Sequence, residues 1–233
     1  MTDRYTIYSE YKSLEMRFNI ESGGPYNIEY NAAPTKKLPV IANTASGGLS
    51  HFYWGAISKW SNNKSISNRL IVAELSQVAS KPSLKNNLVT KRCLVPANGF
   101  YMWKKVGKKS KRPYYFSLKK DRIFSFPALW EDYEDMDGKI HHTFKLIISD
   151  NMTGLQDYGD KFPLILEPKY EQNWLNNETG IDGWLEMLQP TTGSEGLNFY
   201  CVSPMITNIS NNFPQLIDPQ PSVDQLGNYT LFE

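Results

Sequence analysis

Cysteine is scarce in this chain of 233 residues, and the usual signatures of bound metal are missing with it. Only Cys93 and Cys201 occur, and neither lies in a CxxC motif or in a Cys/His cluster. The sequence therefore indicates neither a zinc site nor a disulfide framework. Both cysteines are expected to be reduced thiols in the core of a cytoplasmic protein. No cofactor and no metal are expected.

Long apolar runs and an excess of one charge are also missing. No apolar run approaches the roughly 18 residues of a membrane span, and Met1 to Tyr5 carry charge without an apolar signal region. Lys plus Arg number 25 and Asp plus Glu number 24, which gives a net charge of +1. Contact with nucleic acid must therefore come from a local patch. Walker, GxGxxG and GxSxG motifs are absent, so nucleotide hydrolysis, dinucleotide binding and serine-hydrolase chemistry have no support.

Short β-like segments, separated by Gly, Pro and Asn, dominate what is present. Helical patterns are fewer and are predicted over Ile71 to Val78, Met152 to Tyr158, Lys169 to Asn176 and Asp182 to Leu188. Irregular mixing of strands and helices predicts an α+β fold. We expect one domain over residues 1–233, with a closed or strongly bent sheet and peripheral helices. A tail rich in Pro, Asn and Gln is expected to wrap the surface from about residue 211.

The segment from Arg92 to Trp103 is the most informative in the chain. It joins two apolar, β-leaning stretches through the turn Pro96-Ala97-Asn98-Gly99. Its sequence resembles the RCL-P-x-GFYEW signature of the SOS-response-associated peptidase (SRAP) family. Further collinear segments resemble other motifs of that family: Tyr30 to Thr35 (YN-x-APT), Trp54 to Trp60 (WGLIPxW), Lys81 to Leu84 (KPSF), Ala128 to Glu131 (GLWE) and Pro163 to Leu166 (PVIL). The resemblance implies the SRAP fold.

The resemblance also implies a chemistry, which this chain has altered at its centre. Members of the family expose an N-terminal cysteine, whose amine and thiol close a stable thiazolidine on the aldehyde of an abasic site in single-stranded DNA. Thr2 stands at that cysteine. A hydroxyl is a poorer nucleophile than a thiol, so an analogous oxazolidine is expected to hydrolyse more easily.

Four more positions of the family's site differ. Met102 replaces the glutamate of GFYEW, and Gly159 replaces the histidine of HDRMP. Val72 and Glu74 replace the asparagine and arginine of INAR-x-E. Asn68-Arg69 lie just upstream, and a shifted alignment would let that pair fill the two polar roles instead. These changes predict a degenerate member that has lost the usual crosslinking residues.

Three functions stay open at this point. The first is a non-catalytic, monomeric binder of single-stranded DNA, because arginines neutralise phosphates and exposed rings stack on bases. Glu74 in place of an arginine is expected to repel phosphate. The residues left on the family's DNA face are Arg4, Asn31, Pro34, Trp54, Trp60 and Arg92.

The second function is a weak lyase that requires removal of Met1, after which the Thr2 α-amine forms a Schiff base. Such α-amines have a pKa of about 7.7–8.0 and are partly neutral in the cell. The third is a protein-interaction scaffold that uses a basic hairpin tip, Lys104 to Arg112. A positive groove that holds Arg4 and Arg92 favours DNA binding. A neutral or filled groove favours an interaction role.

Overall fold

The structure, a computed structural model, describes residues 3–20, 23–44, 48–55, 68–106, 110–120, 123–135, 137–150, 154–189 and 193–221 (for 68 and 69 the backbone only). The strands within these ranges are β1 Tyr5–Ile7, β2 Glu29–Ala32, β3 Lys37–Ala42, β4 Leu49–Trp54, β5 Val72–Glu74, β6 Arg92–Ala97, β7 Gly99–Val106, β8 Ser110–Leu118, β9 Phe124–Glu134, β10 Ile140–Ser149, β11 Phe162–Pro163 and β12 Leu197–Cys201. The α-helices are α1 Tyr11–Phe18, α2 Asn68–Ile71, α3 Leu75–Val78, α4 Pro82–Thr90, α5 Pro168–Leu175 and α6 Ile181–Met187. Short 3₁₀ helices cover Gln156–Tyr158, Ser194–Gly196, Pro204–Thr207 and Pro214–Ile217.

One of the two sheets closes on itself. Strands β10, β4, β3, β6 and β9 pair in that order, and β9 pairs with β10 to complete a five-stranded barrel, while β5 and β11 extend from β10. The second sheet has the order β12-β8-β7-β1-β2. Closure removes the open edges of the first sheet and leaves its interior for apolar side chains. The predicted α+β class with a closed sheet is confirmed.

The chain crosses from the barrel to the second sheet at Asn98. Its Oδ1 accepts hydrogen bonds from the backbone N–H groups of Tyr8 at 2.7 Å and Ser9 at 3.2 Å. The following residue, Gly99, must be a glycine, because a Cβ at this position would lie 2.3 Å from the ring of Tyr115, which is too close. The predicted turn therefore connects strands of different sheets, and Pro96 still belongs to β6.

Strand β7 divides the interior into two apolar clusters. Phe100 and Met102 face the main core, and Tyr101 faces a second cluster on the other side of the sheet. The segment after β12 covers that second cluster, where Leu216 is fully buried. The predicted C-terminal tail therefore packs on the second sheet as far as residue 221, and residues 222–233 lie outside the described part of the chain.

The sequence predicted some helices well and others poorly. Helices α5 and α6 confirm the segments Lys169 to Asn176 and Asp182 to Leu188 within a residue or two. The helix predicted from Ile71 to Val78 is only partly right: Leu75–Val78 form α3, whereas Val72–Glu74 form β5 and pair in parallel with β10. A helix was also predicted from Met152 to Tyr158. Within it, only Gln156–Tyr158 are helical, as a single 3₁₀ turn, and residues 151–153 lie outside the described ranges. Among the described residues, no helix is both long and apolar enough to cross a membrane.

The side chain of Arg92 ties the barrel to the helices around it. It is fully buried, and its guanidinium donates to the carbonyl oxygens of Trp174 at 2.7 Å and Leu88 at 2.6 Å and to Asn177 Oδ1 at 2.7 Å. The guanidinium also lies 3.8 Å from the ring centroid of Trp184. Burial lowers the pKa of Arg92 to about 10, so the group stays charged at neutral pH. One cation thus holds α4, α5 and α6 against β6.

We expect the Arg92→Met variant to lose about 3 kcal/mol or more of folding free energy, because several buried carbonyl groups lose their donors. Urea unfolding followed by circular dichroism measures the loss. Lys12→Met, on the exposed face of α1, is the matched control and is expected to change stability by less than about 0.5 kcal/mol. Equal stability of the two variants would contradict the anchoring role.

Candidate functional site

Two of the positions that the sequence predicts to be altered, Val72 and Glu74, line one groove. The groove has a volume of about 420 Å³, and Val72 and Glu74 from β5 form one wall while Asp160 and Lys161 form another. A smaller cavity of about 150 Å³ adjoins it and shares Glu74 and Lys161. The complete lining of the larger groove is Val72, Ala73, Glu74, Gln77, Lys81, Ser83, Leu84, Lys145, Asp160 and Lys161.

Two of the lysines that line this groove are paired with glutamates. Glu74 Oε1 lies 2.6 Å from Lys161 Nζ, and Lys145 Nζ lies 2.9 Å from Glu131 Oε1. The expected repulsion of phosphate by Glu74 is therefore offset within the groove itself. Lys81 adds a further exposed cation at the start of α4. Within the described ranges, no group of three or more His, Cys, Asp or Glu side chains could hold a metal ion.

Met102, which the sequence predicts to replace the family's glutamate, lies in the apolar core. Its side chain is fully buried, and its cross-strand neighbour on β8 is Tyr114. The ring of Tyr158 packs edge-on against Tyr114 with 4.8 Å between centroids. A thioether in this place fills space and has no titratable proton to give or take.

Gly159, which the sequence predicts to replace the family's histidine, has a backbone conformation that other residues avoid. Its φ is 149° and its ψ is 166°, a region that is essentially restricted to glycine and costs other residues about 1–3 kcal/mol. An imidazole at this position therefore requires a different backbone. The glycine at position 159 therefore suits the backbone conformation that the structure has there.

Three of the predicted DNA contacts are fully buried in the structure. Arg92 has its donors bound to carbonyl and amide oxygens inside the protein. Trp54 is fully buried, and its Nε1 donates to the carbonyl of Ile71 at 2.9 Å. Asn31 is fully buried, and its Nδ2 donates to the carbonyl of Asn208 at 3.0 Å. Stacking on a base or binding a phosphate needs exposed groups, which these residues do not present.

The other predicted residues have mixed positions. Pro34 is half-buried, and the Arg4 side chain, which is 13% exposed, donates to the carbonyl of Asp3 at 2.7 Å. Thr2 and Trp60 lie outside the described residues, as do the side chains of Asn68 and Arg69.

The predicted basic hairpin is only partly a cationic surface. Strands β7 and β8 pair as a hairpin, with Val106 opposite Ser110, and residues 107–109 of its tip lie outside the described ranges. Arg112 is buried, and Lys104 lies 3.5 Å from Asp157.

Sequence reasoning did not identify the lysines that line the groove. Lys145 lies inside β10, where a strand pattern does not reveal which cavity a side chain meets. Lys161 had a usable signal, because Gly159 to Pro163 keep the spacing of HDRMP and place Lys161 at its arginine.

The fold and the groove define a class: an α+β protein with a closed barrel, a second sheet and a polar groove lined by β5 and the start of α4. A comparison with family models matches residues 1–209 to the SOS response associated peptidase (SRAP) family. The chain belongs to that family.

Proteins of similar sequence support the same family assignment. The abasic site processing protein YoqW of Bacillus subtilis is 32% identical over 222 residues, covering 94% of this chain and 99% of YoqW. YoaM of the same organism, also named an abasic site processing protein, is 30% identical over 224 residues, with 94% and 99% covered. Abasic site processing protein HMCES of Rattus norvegicus is 23% identical, covering 83% of this chain and 65% of HMCES.

Solved structures support the fold alone. A crystal structure of a Bacteroides thetaiotaomicron protein has a TM-score of 0.77 at 23% identity and covers 93% of this chain and 99% of its own. One from Bordetella bronchiseptica has a TM-score of 0.72 at 14% identity, with 86% and 99% covered.

We expect Met102→Glu to destabilise the protein by about 2–4 kcal/mol at pH 7, because the new carboxylate is buried without a charge partner. Burial raises the folded-state pKa of that carboxyl above its unfolded value of about 4.3. The loss relative to Met102→Gln therefore shrinks as the pH falls toward 4.3. Thermal unfolding of both variants between pH 5 and pH 8 measures it. A Met102→Glu variant as stable as Met102→Gln at pH 8 would show that position 102 reaches solvent.

Proposed function

We propose that this protein acts on abasic sites in single-stranded DNA as a degenerate SRAP member, which binds the damaged strand without forming the family's stable crosslink. The relatives named abasic site processing proteins support the substrate. The observation that carries the loss of crosslinking is the full burial of Met102 at the position of the family's glutamate. Gly159 supports it independently, because its backbone conformation disfavours a histidine.

The proposed DNA contact is the groove rather than the buried arginine and tryptophan. Lys81, Lys145 and Lys161 line it, while Gln77 and Ser83 add groups that hydrogen-bond to phosphate. Its carboxylates, Glu74 and Asp160, keep the net charge low. Binding is therefore expected to be weak, in the micromolar range, and salt-dependent.

The test uses a single-stranded oligonucleotide with one abasic site and an undamaged strand of the same sequence. Intact mass after incubation without reductant is expected to show no adduct that survives denaturation. Fluorescence anisotropy is expected to show micromolar binding of both strands. A persistent adduct without reductant would overturn the loss of crosslinking, and no binding up to about 100 µM would overturn the DNA function and favour a protein-interaction role.

Lys81→Glu is expected to weaken binding several-fold, because it reverses a charge beside the groove. Lys85→Glu is the matched control, since Lys85 is exposed one turn further along α4 and does not line the groove. Anisotropy titrations at two salt concentrations compare them. An equal effect of both variants would show that the contact is a diffuse surface charge and not the groove.

A further inference from the structure

The groove holds an amine and a carboxylate in direct contact. Lys161 Nζ lies 2.6 Å from Glu74 Oε1, and their side chains are 35% and 36% exposed. Gln77 Nε2 donates to the other carboxylate oxygen of Glu74 at 3.1 Å. The hydrogen bond from Gln77 thus helps to hold the carboxylate in place, while the carboxylate and the amine both line the groove. Both residues line the larger groove and the adjoining cavity, so the pair lies where the two spaces meet.

The other groove lysine in an ion pair is less suited to react. The side chain of Lys145 is 13% exposed, and its partner Glu131 does not line the groove. Only the pair of Lys161 and Glu74 therefore presents a lysine together with its own carboxylate to the cavity among the described residues. A nucleophilic amine needs a base that removes its proton, and that base must lie within hydrogen-bond distance.

We propose that Lys161 forms a reversible Schiff base with the aldehyde of an abasic deoxyribose, with Glu74 as the general base and acid; this inference rests on the proposed function. Glu74 takes a proton from the lysine ammonium, and the amine nitrogen then bonds to the aldehyde carbon. The carbonyl electron pair moves to oxygen, which takes a proton from the attacking nitrogen to give a carbinolamine. The protonated Glu74 gives its proton to the departing hydroxyl, so that water leaves and a carbon–nitrogen double bond remains. Hydrolysis reverses these steps and releases the DNA, which accounts for an adduct that does not last.

The test incubates the full-length protein with the abasic single strand in the presence of sodium borohydride, which reduces the imine to a stable secondary amine. Proteolysis and tandem mass spectrometry then locate the modified residue. We expect the modification on Lys161. In Lys161→Arg the trapped amount is expected to fall at least tenfold, because arginine keeps the charge and the ion pair but does not form the imine. In Glu74→Gln the trapping rate is expected to fall about 10²-fold.

Lys169→Arg is the matched control, because Lys169 lies 2.8 Å from Glu167 in an exposed ion pair and does not line the groove. It is expected to trap DNA like the unaltered protein. Circular dichroism establishes that each variant folds, and anisotropy with the undamaged strand measures binding separately from trapping.

The outcomes separate this inference from the proposed function. A modification on the N-terminal amine or on another lysine, unchanged in Lys161→Arg, overturns the role of Lys161 and leaves abasic-site binding intact. Binding of the abasic strand with no trapped adduct also overturns it. Absence of both binding and trapping overturns the inference and the proposed function together.

Discussion

The buried guanidinium of Arg92 is the interaction on which the arrangement of the helices depends. A charged group without water is costly unless oxygen atoms surround it, and here carbonyl groups from α4 and from the end of α5 supply them. The same contacts satisfy carbonyl oxygens that the helix ends would otherwise leave unpaired. Helix α4 begins at the groove. The position of this part of the groove wall therefore depends on Arg92, although Arg92 does not itself line the groove.

The sequence indicated the fold better than it indicated the exposure of single residues. Strands β6 and β7 followed from apolar, β-leaning segments, and α5 followed from a proline at its first turn. The burial of Trp54 and Arg92 was not predicted, because their hydrogen-bond partners come from residues 17 and 82 positions away. Local patterns carry no information about such partners. The first half of the helix predicted over Ile71 to Val78 is a strand for the same reason, since β10 supplies the pairing that makes β5 a strand.

The changes at the site are coupled to the local structure. Met102 needs no polar partner in the core, whereas a glutamate there needs a path to water or a proton donor. Gly159 permits a backbone conformation that places Tyr158 against Tyr114 and Phe116. Reintroducing one polar residue is therefore not expected to rebuild the family's site, because Met102 and Gly159 each pack among neighbours that fit them.

In the groove, a negative and a positive side chain offset each other. Glu74 and Lys161, which the sequence predicts to stand at two arginines of the family motifs, form an ion pair. The exchange removes positive charge, so the groove attracts phosphate less strongly than two arginines would. It also replaces a guanidinium, which cannot react with an aldehyde under ordinary conditions, by a primary amine with a carboxylate beside it. The same two residues that are expected to weaken DNA binding thus place in the groove wall the two groups that the proposed imine chemistry requires.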